Sequence, residues 1–445
     1  MNPRARQFLS WTFIVTFFLL APAVILSTAG YRYNFTRGRL ERTGVVVVET
    51  RPAGASISLN NKPQKTETPT QISKVTPGTY TVRVEKANYH PWTKTVTVGS
   101  RESVFLNQIS LFRTEAPTSI KTLGTPAATA FSNDVRYGAV VASASSGSEL
   151  SVIDTKIGTA YLPYRSSAPA TSFRLHWSPN GRTLLIERAG KSPLFLLWSA
   201  NDPERVRDLL KEAEIIFTEV FWAQDTDRLY GVAKNTLYQI DAELLAAVDV
   251  GPSITAPVIA NDTLYGILDK DAPTLVRRRL RDTTTETIAQ LPSSKYVPVA
   301  GNGKKITYAS LSGDRLFTID PSGDRPTAFE GRGHDGVWST DGSRLLYWSD
   351  LEIRIYDARS GTDELIDRLS ESITQASWQR PEWTALYAVG DSIFSIETTD
   401  RFGRITLPII EFQKLYRFAI STNGDTAFIF GMQGGENGLW KLRLR

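Results

Sequence analysis

The sequence predicts a mainly β chain in three parts: an N-terminal transmembrane helix, a small β-sandwich and a ring of repeated four-stranded sheets. Three observations predict it. One uncharged apolar run stands near the N-terminus, "FLSWTFIVTFFLLAPAVILSTA", 22 residues from Phe8 to Ala29. Short alternating runs of Val, Thr, Ile and Tyr, divided by Gly, Pro and Asn turns, fill residues 44–113. Beyond them, one strand-turn-strand unit recurs eight times. The expected parts are 1–43 (tail, anchor and linker), 44–113 (sandwich) and 114–445 (repeats).

A helix rises about 1.5 Å per residue, so about 20 apolar residues cross the hydrocarbon core of a bilayer. Trp11 near one end, and Tyr31, Tyr33 and Phe35 past the other, stand where interface anchors belong. The rival is a cleavable signal peptide, because Ser27-Thr28-Ala29 would serve as a cleavage site. Its apolar stretch is usually only about 7–15 residues, so a retained anchor, with the lipid bilayer as its partner, is the expectation.

Net charge is +5 and the pI is near 9.1. Residues 1–43 contain six arginines against one acid, Glu41, and carry all of that charge. The other 45 basic and 45 acidic residues cancel, so the balance does not call for nucleic acid. Arg4 and Arg6 flank one side of the apolar run; Arg32, Arg37, Arg39 and Arg42 flank the other. Arginine count alone slightly favours a cytoplasmic body. The modules beyond residue 44 look like exported ones, and an extracytoplasmic body is the expectation. There are no cysteines, which excludes disulfides, thiolate metal sites and a cysteine nucleophile.

Val45–Val48 is a β-branched run suited to a pleated surface, and Arg51-Pro52 ends it because proline lacks a ladder donor. In "ASISL", Ile57 and Leu59 share a face, and Asn60-Asn61 suits a turn with positive φ. After Pro77-Gly78, Tyr80, Val82 and Val84 face one way, and Thr81, Arg83 and Glu85 the other. "WTKTVTV" and "SVFLNQISL" add two more strands. About five strands in this span make a small antiparallel sandwich. The order of landmarks resembles the PEGA domain: Pro52-Ala53-Gly54-Ala55, with Ala53 where the motif has Glu, then Thr68-Pro69, Thr76-Pro77-Gly78, "ANYHPW" and Leu111. The resemblance implies a spacer or adhesion-type module at a membrane or wall, with no chemistry to carry over.

The repeat unit is an apolar or Trp position, a Gly/Asn/Asp turn, then a hydrophobic strand. Copies stand near Phe131, Trp177, Trp222, Ile259, Ala300, Trp338, Trp378 and Ala419, about 41 residues apart on average. A second signal is a strand ending in an acid before a turn, as at Asp154, Asp320, Asp357 and Glu397, with a degenerate form at Asp241. Two turns per unit mean four short strands, which is a propeller blade. The turns "SPNG" and "STDG" resemble those of TolB-like and WD-repeat propellers. "GLWKLRLR" ends the chain on a third strand, and "TSIKTLGT" at 118–125 reads as the missing fourth. Eight blades closed by that strand are the expectation; seven is the alternative, because the units near 259 and 300 are weak.

"NDPERVRDLLKEAEIIF" reads as a helical insertion near 201–213, with Asn201 or Asp202 as N-cap, Pro203 in the first turn, and apolar Val206, Leu209, Leu210 and Ala213 at helical spacing. Chemistry is sparse. The three histidines, His90, His176 and His334, form no Ser-His-Asp pattern and no metal-ligand spacing. Gly333-His334 resembles the Gly-His of WD repeats, where the histidine locks a blade. The recurrent Asp154, Asp320 and Asp357 read as turn residues that bond their own backbone. "LVRRRLRD" at 275–282 reads as a solvated edge strand, with an anion contact second. No catalytic residue, cofactor or metal ligand is assigned.

The expected function is a membrane-anchored, surface-facing binding or scaffold protein, its partner an envelope protein or wall glycan. Loops on the rigid ring would choose that partner. The candidate contacts are Arg205, Arg207 and Lys211 in the insertion, and Arg332, His334 and Asp335 in the 331–336 loop. The alternative is an envelope glycan hydrolase or lyase with acids in the propeller channel, where carboxylates of separated pKa would converge.

Overall fold

The computed structural model describes residues 3–34, 38–190, 193–269, 272–282, 284–291, 295–299, 301, 305–311, 315–321 and 327–445. Expectations resting on Phe35, Arg37 and Ala300 lie outside those residues. Two compact units are present: Met1–Thr114 with Thr399–Ile405 and Arg445, and Glu115–Thr398 with Thr406–Leu444.

In the first unit, helix α1 spans Pro3–Thr28. Its stretch Phe8–Thr28 has a mean hydropathy of 2.2 and is wholly unburied, so it is long and apolar enough to cross a membrane. Strands β1 (Tyr31–Asn34) and β2 (Arg39–Arg42) form an antiparallel hairpin directly after it. The valine run lies in β3 (Gly44–Arg51), where Val46 and Val48 are fully buried. Six strands follow: β4 (Ser56–Leu59), β5 (Lys62–Pro63), β6 (Thr70–Val75), β7 (Gly78–Glu85), β8 (Trp92–Val98) and β9 (Ser103–Ser110). One sheet has the order β6-β3-β9, the other β5-β4-β7-β8.

The expectation of about five antiparallel strands is corrected here, since seven strands are present and β9 runs parallel to β3. The parallel pair arises because the chain leaves β3, builds the second sheet, and returns along the open edge of the first. Alternation works as the sequence predicts: Val82 and Val84 are buried, whereas Thr81, Arg83 and Glu85 are exposed. Asn60 and Asn61 both take positive φ. The landmarks at 52–55 and 68–69 prove to be hydrogen-bond partners. Thr68 Oγ accepts from Ala55 N at 3.0 Å and meets Thr50 Oγ at 2.6 Å, while Gly54 N donates to Thr68 O at 2.7 Å. Gly54 sits at φ +74°, a conformation that costs other residues about 1–2 kcal/mol.

The second unit is a propeller. Among the described residues, seven four-stranded sheets form from consecutive strands, with first strands Pro126–Phe131, Phe173–Trp177, Glu219–Trp222, Thr255–Ala260, Tyr296–Val299, Asp335–Trp338 and Ile373–Gln379. We number these blades 1 to 7. Blade 8 takes Lys414–Ile420, Thr426–Gln433 and Glu436–Arg443 from the C-terminus and Thr118–Thr122 from before blade 1. Thr118 pairs with Lys441 and Thr122 with Gly438, so the ring closes by the strand expected from "TSIKTLGT". The second strands are the driest, as in Leu184, Leu185 and Ile186 or Leu345, Leu346 and Tyr347, none of them measurably exposed. Burying such rows on both faces of each sheet supplies the main driving force.

Two repeated devices hold the ring. In the first turn of several blades a serine hydroxyl bonds an Asn or Asp two residues on, and that side chain accepts a later backbone N–H. Ser178 with Asn180, Ser339 with Asp341, Ser421 with Asn423 and Ser132 with Asp134 all do so, at 2.7–2.8 Å between the side chains. In the second device, the repeat tryptophan donates its indole N–H to the preceding blade: Trp222 to His176 O at 3.0 Å, and Trp378 to Val337 O at 2.9 Å.

Two readings are corrected. Residues 202–208 are the outer strand of blade 2 (Asp202–Asp208), and only Leu209–Ala213 is helical (α2), with Asp208 as its N-cap. The sheet edge of the third strand demands a partner, and Leu196, Leu197 and Trp198 pair with Asp208, Arg207 and Val206. Sheet pairing thus overrides helical spacing in a short segment. The arginine run is also not an edge strand. Pro273–Arg279 lies third in blade 4, between two neighbours, and Arg278 is only 3% exposed.

Candidate functional site

The predicted contact residues fall into two separate groups. Arg205 and Arg207 lie on the outer strand of blade 2 and Lys211 on α2. Arg205 and Arg207 border a groove of about 580 Å³, also lined by Arg182, Glu212 and Glu243. Arg207 is committed within it: Nε meets Glu212 at 3.2 Å, a second nitrogen pairs with the same carboxylate, and a third donates to Glu243 O. Arg205 and Lys211 remain the more open pair.

Arg332, His334 and Asp335 mark the passage from blade 5 to blade 6. Arg332 ends the outer strand of blade 5, and Asp335 opens the first strand of blade 6. The expected histidine lock is corrected. His334 fixes the passage through its backbone, N to Trp348 O at 2.9 Å, while its half-exposed ring stands 3.7 Å from the exposed carboxylate of Asp350. An exposed partner cannot give the buried lock that the resemblance implied.

Asp335 belongs to a set that sequence reading alone left scattered. The first strands can be aligned on a residue at their end or one before it: Phe131, Trp177, Trp222, Ile259, Val299, Trp338, Trp378 and Ile420. The position three earlier is then Ala128, Arg174, Glu219, Ala256, Tyr296, Asp335, Gln375 and Arg417, in blade order. Successive first strands abut for most of the ring, so this is one level of the inner lining. Arg174, Glu219, Asp335 and Arg417 are open to water there. Gln375 instead spans to blade 8, donating to Phe418 O at 2.7 Å and accepting from Phe418 N at 3.1 Å.

These charges are solvent-accessible yet crowded by protein, and their proton affinities shift accordingly. Crowding raises the Glu219 carboxyl, and the nearby Glu187 charge raises it further. Asp335 is likewise raised by desolvation, which outweighs its bond from Gly336 N and the fields of Arg417 and His334. Arg417 is lowered by the same desolvation, with Asp335 opposing. Glu187 moves the other way, first through His176 and then through Arg174, whose Nη lies 3.2 Å from its Oε1. The result is a ring of mixed sign in which the two ring carboxylates stand on blades 3 and 6.

The turn reading of the recurrent acids holds where it can be followed. Asp154 accepts from Lys156 N and Ile157 N, and Asp357 from Arg359 N and Ser360 N. Asp320 pairs with Lys305 Nζ at 2.6 Å, and the turn that follows it at 322–326 lies outside the described residues. That pair lines a larger groove of about 1050 Å³ across blades 4 to 6. Two further pairs stand in its lining, Arg277 with Glu286 at 2.9 Å and Arg359 with Asp341 at 2.8 Å. Among the described residues, no group of three or more His, Asp or Glu side chains is arranged to hold a metal ion.

Comparison with known proteins bears on both units. Residues 43–110 match the PEGA domain. The PEGA match covers β3 to β9, including the stitched pair of landmarks around Ala55 and Thr68. No curated protein matches the chain. The propeller is similar to the C-terminal WD40 domain of Sif2, at 12% identity and a TM-score of 0.51, over 74% of this chain and 98% of that one. It is also similar to the Dos1 propeller, at 12% identity and a TM-score of 0.50, over 73% of this chain and 94% of that one. Identity so low shows the β-propeller fold alone.

Sequence reasoning missed Arg174, Glu219, Gln375 and Arg417. The signal that finds them is their common offset from the repeat residue, once the first strands are known.

Proposed function

We propose that this chain is a membrane-anchored binding or scaffold protein, held by α1, spaced by the PEGA domain, and presenting the propeller outside the cytoplasm to an envelope protein or wall glycan. One observation carries the reading: the 21 residues Phe8–Thr28 are apolar and wholly unburied, and they feed directly into a folded β module. A stretch this apolar is unfavourable in water, at about 25 cal/mol per Å² exposed, and a bilayer removes that cost. The working parts are 1–43, 44–113 and 114–445. Recognition belongs to rigidly held surface groups, of which Arg205, Lys211 and Arg332 are the first to test. Photo-crosslinkers placed singly at these three positions in native membranes should trap the same discrete species. Crosslinks no more discrete than those from a position on the far strand of blade 1 would contradict the reading.

A second reading, a hydrolase or lyase acting on envelope glycan, has one observation in its favour. Glu187 and Glu219 sit close enough to interact, and their proton affinities move apart, which is what an acid and its ionised partner need. Assay of the full chain against wall polysaccharide, with Glu219→Gln as control, separates the two. Cleavage lost in that variant would replace the scaffold reading.

A further inference from the structure

The hairpin β1–β2 and the turn between β8 and β9 enclose a pocket of about 650 Å³ lined by Tyr31, Arg39, Arg42, Gly99 and Arg101, among others. Tyr31 is three residues beyond the end of α1 at Thr28, so it lies within about 10 Å of the helix end along the chain. The hairpin is tied to that end, because Thr43 donates to Gly30 O both from its backbone, at 2.9 Å, and from its hydroxyl, at 3.0 Å. If α1 spans a bilayer, the pocket therefore sits at headgroup level.

Its charge is one-sided. Glu41 is the acid of the lining, and it is bound to Arg39 Nε at 2.6 Å. Arg42 lies over the Tyr31 ring, 4.9 Å from its centre, and its Nε is buried without a hydrogen-bond partner. Neither Arg42 nor Arg101 has a carboxylate partner among the described residues. The field they create is visible in Tyr31, whose phenol is pulled below its usual range, first by its hydrogen bond with Arg42, with Arg101 contributing. On the same face as Tyr31 and Arg42, the cross-strand pair Tyr33 and Leu40 is about half exposed. An apolar and aromatic pair beside unpaired arginines suits the boundary where acyl chains meet phosphate.

We propose that this juxtamembrane pocket binds the phosphate of an anionic phospholipid headgroup, with Arg42 and Arg101 as the principal contacts and Tyr33 and Leu40 entering the interface. The inference rests on the reading of α1 as a membrane span. Juxtamembrane basic residues each contribute enough to change affinity for anionic lipid about five-fold. Two surfaces then act together: the helix supplies insertion, and the pocket supplies lipid preference and a fixed attitude for the module above.

The test uses the full chain, purified in detergent and mixed with phosphatidylcholine vesicles with or without phosphatidylglycerol. Flotation reports insertion; native mass spectrometry of the detergent-solubilised chain reports which lipids are retained. The expected result is flotation with both vesicles and retention of phosphatidylglycerol over phosphatidylcholine. That preference should fall about five-fold in Arg42→Gln and in Arg101→Gln and should be largely kept in Arg42→Lys. Flotation without lipid preference, or a preference unchanged in both glutamine variants, overturns the pocket while leaving the anchor intact. Failure to float with either vesicle overturns the anchor and the inference with it. Displacement of phosphatidylglycerol by millimolar inorganic phosphate would assign the pocket to a free anion and overturn the lipid assignment.

Discussion

Trp222 donates its indole N–H to the carbonyl oxygen of His176, 3.0 Å away, and so joins blade 3 to the inner strand of blade 2. Trp378 repeats the bond to Val337 between blades 6 and 7. The repeat tryptophan is thus a fastener between blades as well as a core residue.

Replacing Trp378 by Phe keeps most of the apolar volume and removes the bond, leaving Val337 O short of a donor. Trp378 is nearly buried, so a loss of about 1–2 kcal/mol is expected. Trp378→Ala should lose about 3–5 kcal/mol through the cavity it leaves. Urea unfolding followed by circular dichroism checks both, and equal losses would show that the bond contributes nothing.

Gly181 takes φ +71°, and a Cβ there would stand 3.0 Å from Ser132 Cβ and from Asp134 Oδ1. Gly181→Val is therefore expected to cost about 2 kcal/mol or more. At the matching turn position of blade 1 the native residue is Val135, at φ +58° yet buried. Val135→Gly should relieve the backbone while giving up that burial, and the net change should stay within about 1 kcal/mol. The two thermal shifts, measured side by side, should differ plainly.

Thr68→Val removes the acceptor of Ala55 N and the partner of Thr50 in a nearly dry part of the PEGA domain. A cost of about 1–3 kcal/mol is expected. Hydrogen exchange should report it as faster exchange of the amides around 54–56, with the propeller amides unchanged.

Acid and neutral pH should act oppositely on two carboxylates. Asp241 is held below its usual range by Leu244 and Glu243 N–H, so its contribution is present above the unfolded value of about 3.9 and is lost as pH falls below it. Glu219 is raised, so the folded state binds its proton more tightly, and its contribution declines as pH rises from about 4.3 through the folded value. Glu219→Gln should therefore stabilise the chain at neutral pH and have little effect near pH 3. Asp241→Asn should destabilise it at neutral pH and little in acid. Thermal melts across pH 3–8 check both signs.

Much of the fold was legible because it is written in periodicity. Alternation in residues 80–85 assigned each side chain its face, and "TSIKTLGT" could be matched to an open edge because the last blade lacked a strand. The segment at 202–208 misled because Val206, Leu209, Leu210 and Ala213 fit a helix, whereas the free edge beside Leu197 and Trp198 decides the outcome. The parallel pairing of β3 with β9 involves residues nearly sixty positions apart in sequence, and no local signal encodes it. The inner ring was hidden for a related reason: Arg174, Glu219, Asp335 and Arg417 share no motif, only an offset from residues whose structural equivalence the turns reveal.

The central claim is retention in the membrane through α1. The most direct measurement is the mass of the mature chain's N-terminal peptide, taken together with alkaline carbonate extraction of native membranes. The account predicts a peptide that starts before Phe8 and a chain that stays in the carbonate pellet. A mature N-terminus at or near Gly30, with the chain released in soluble form, would contradict it.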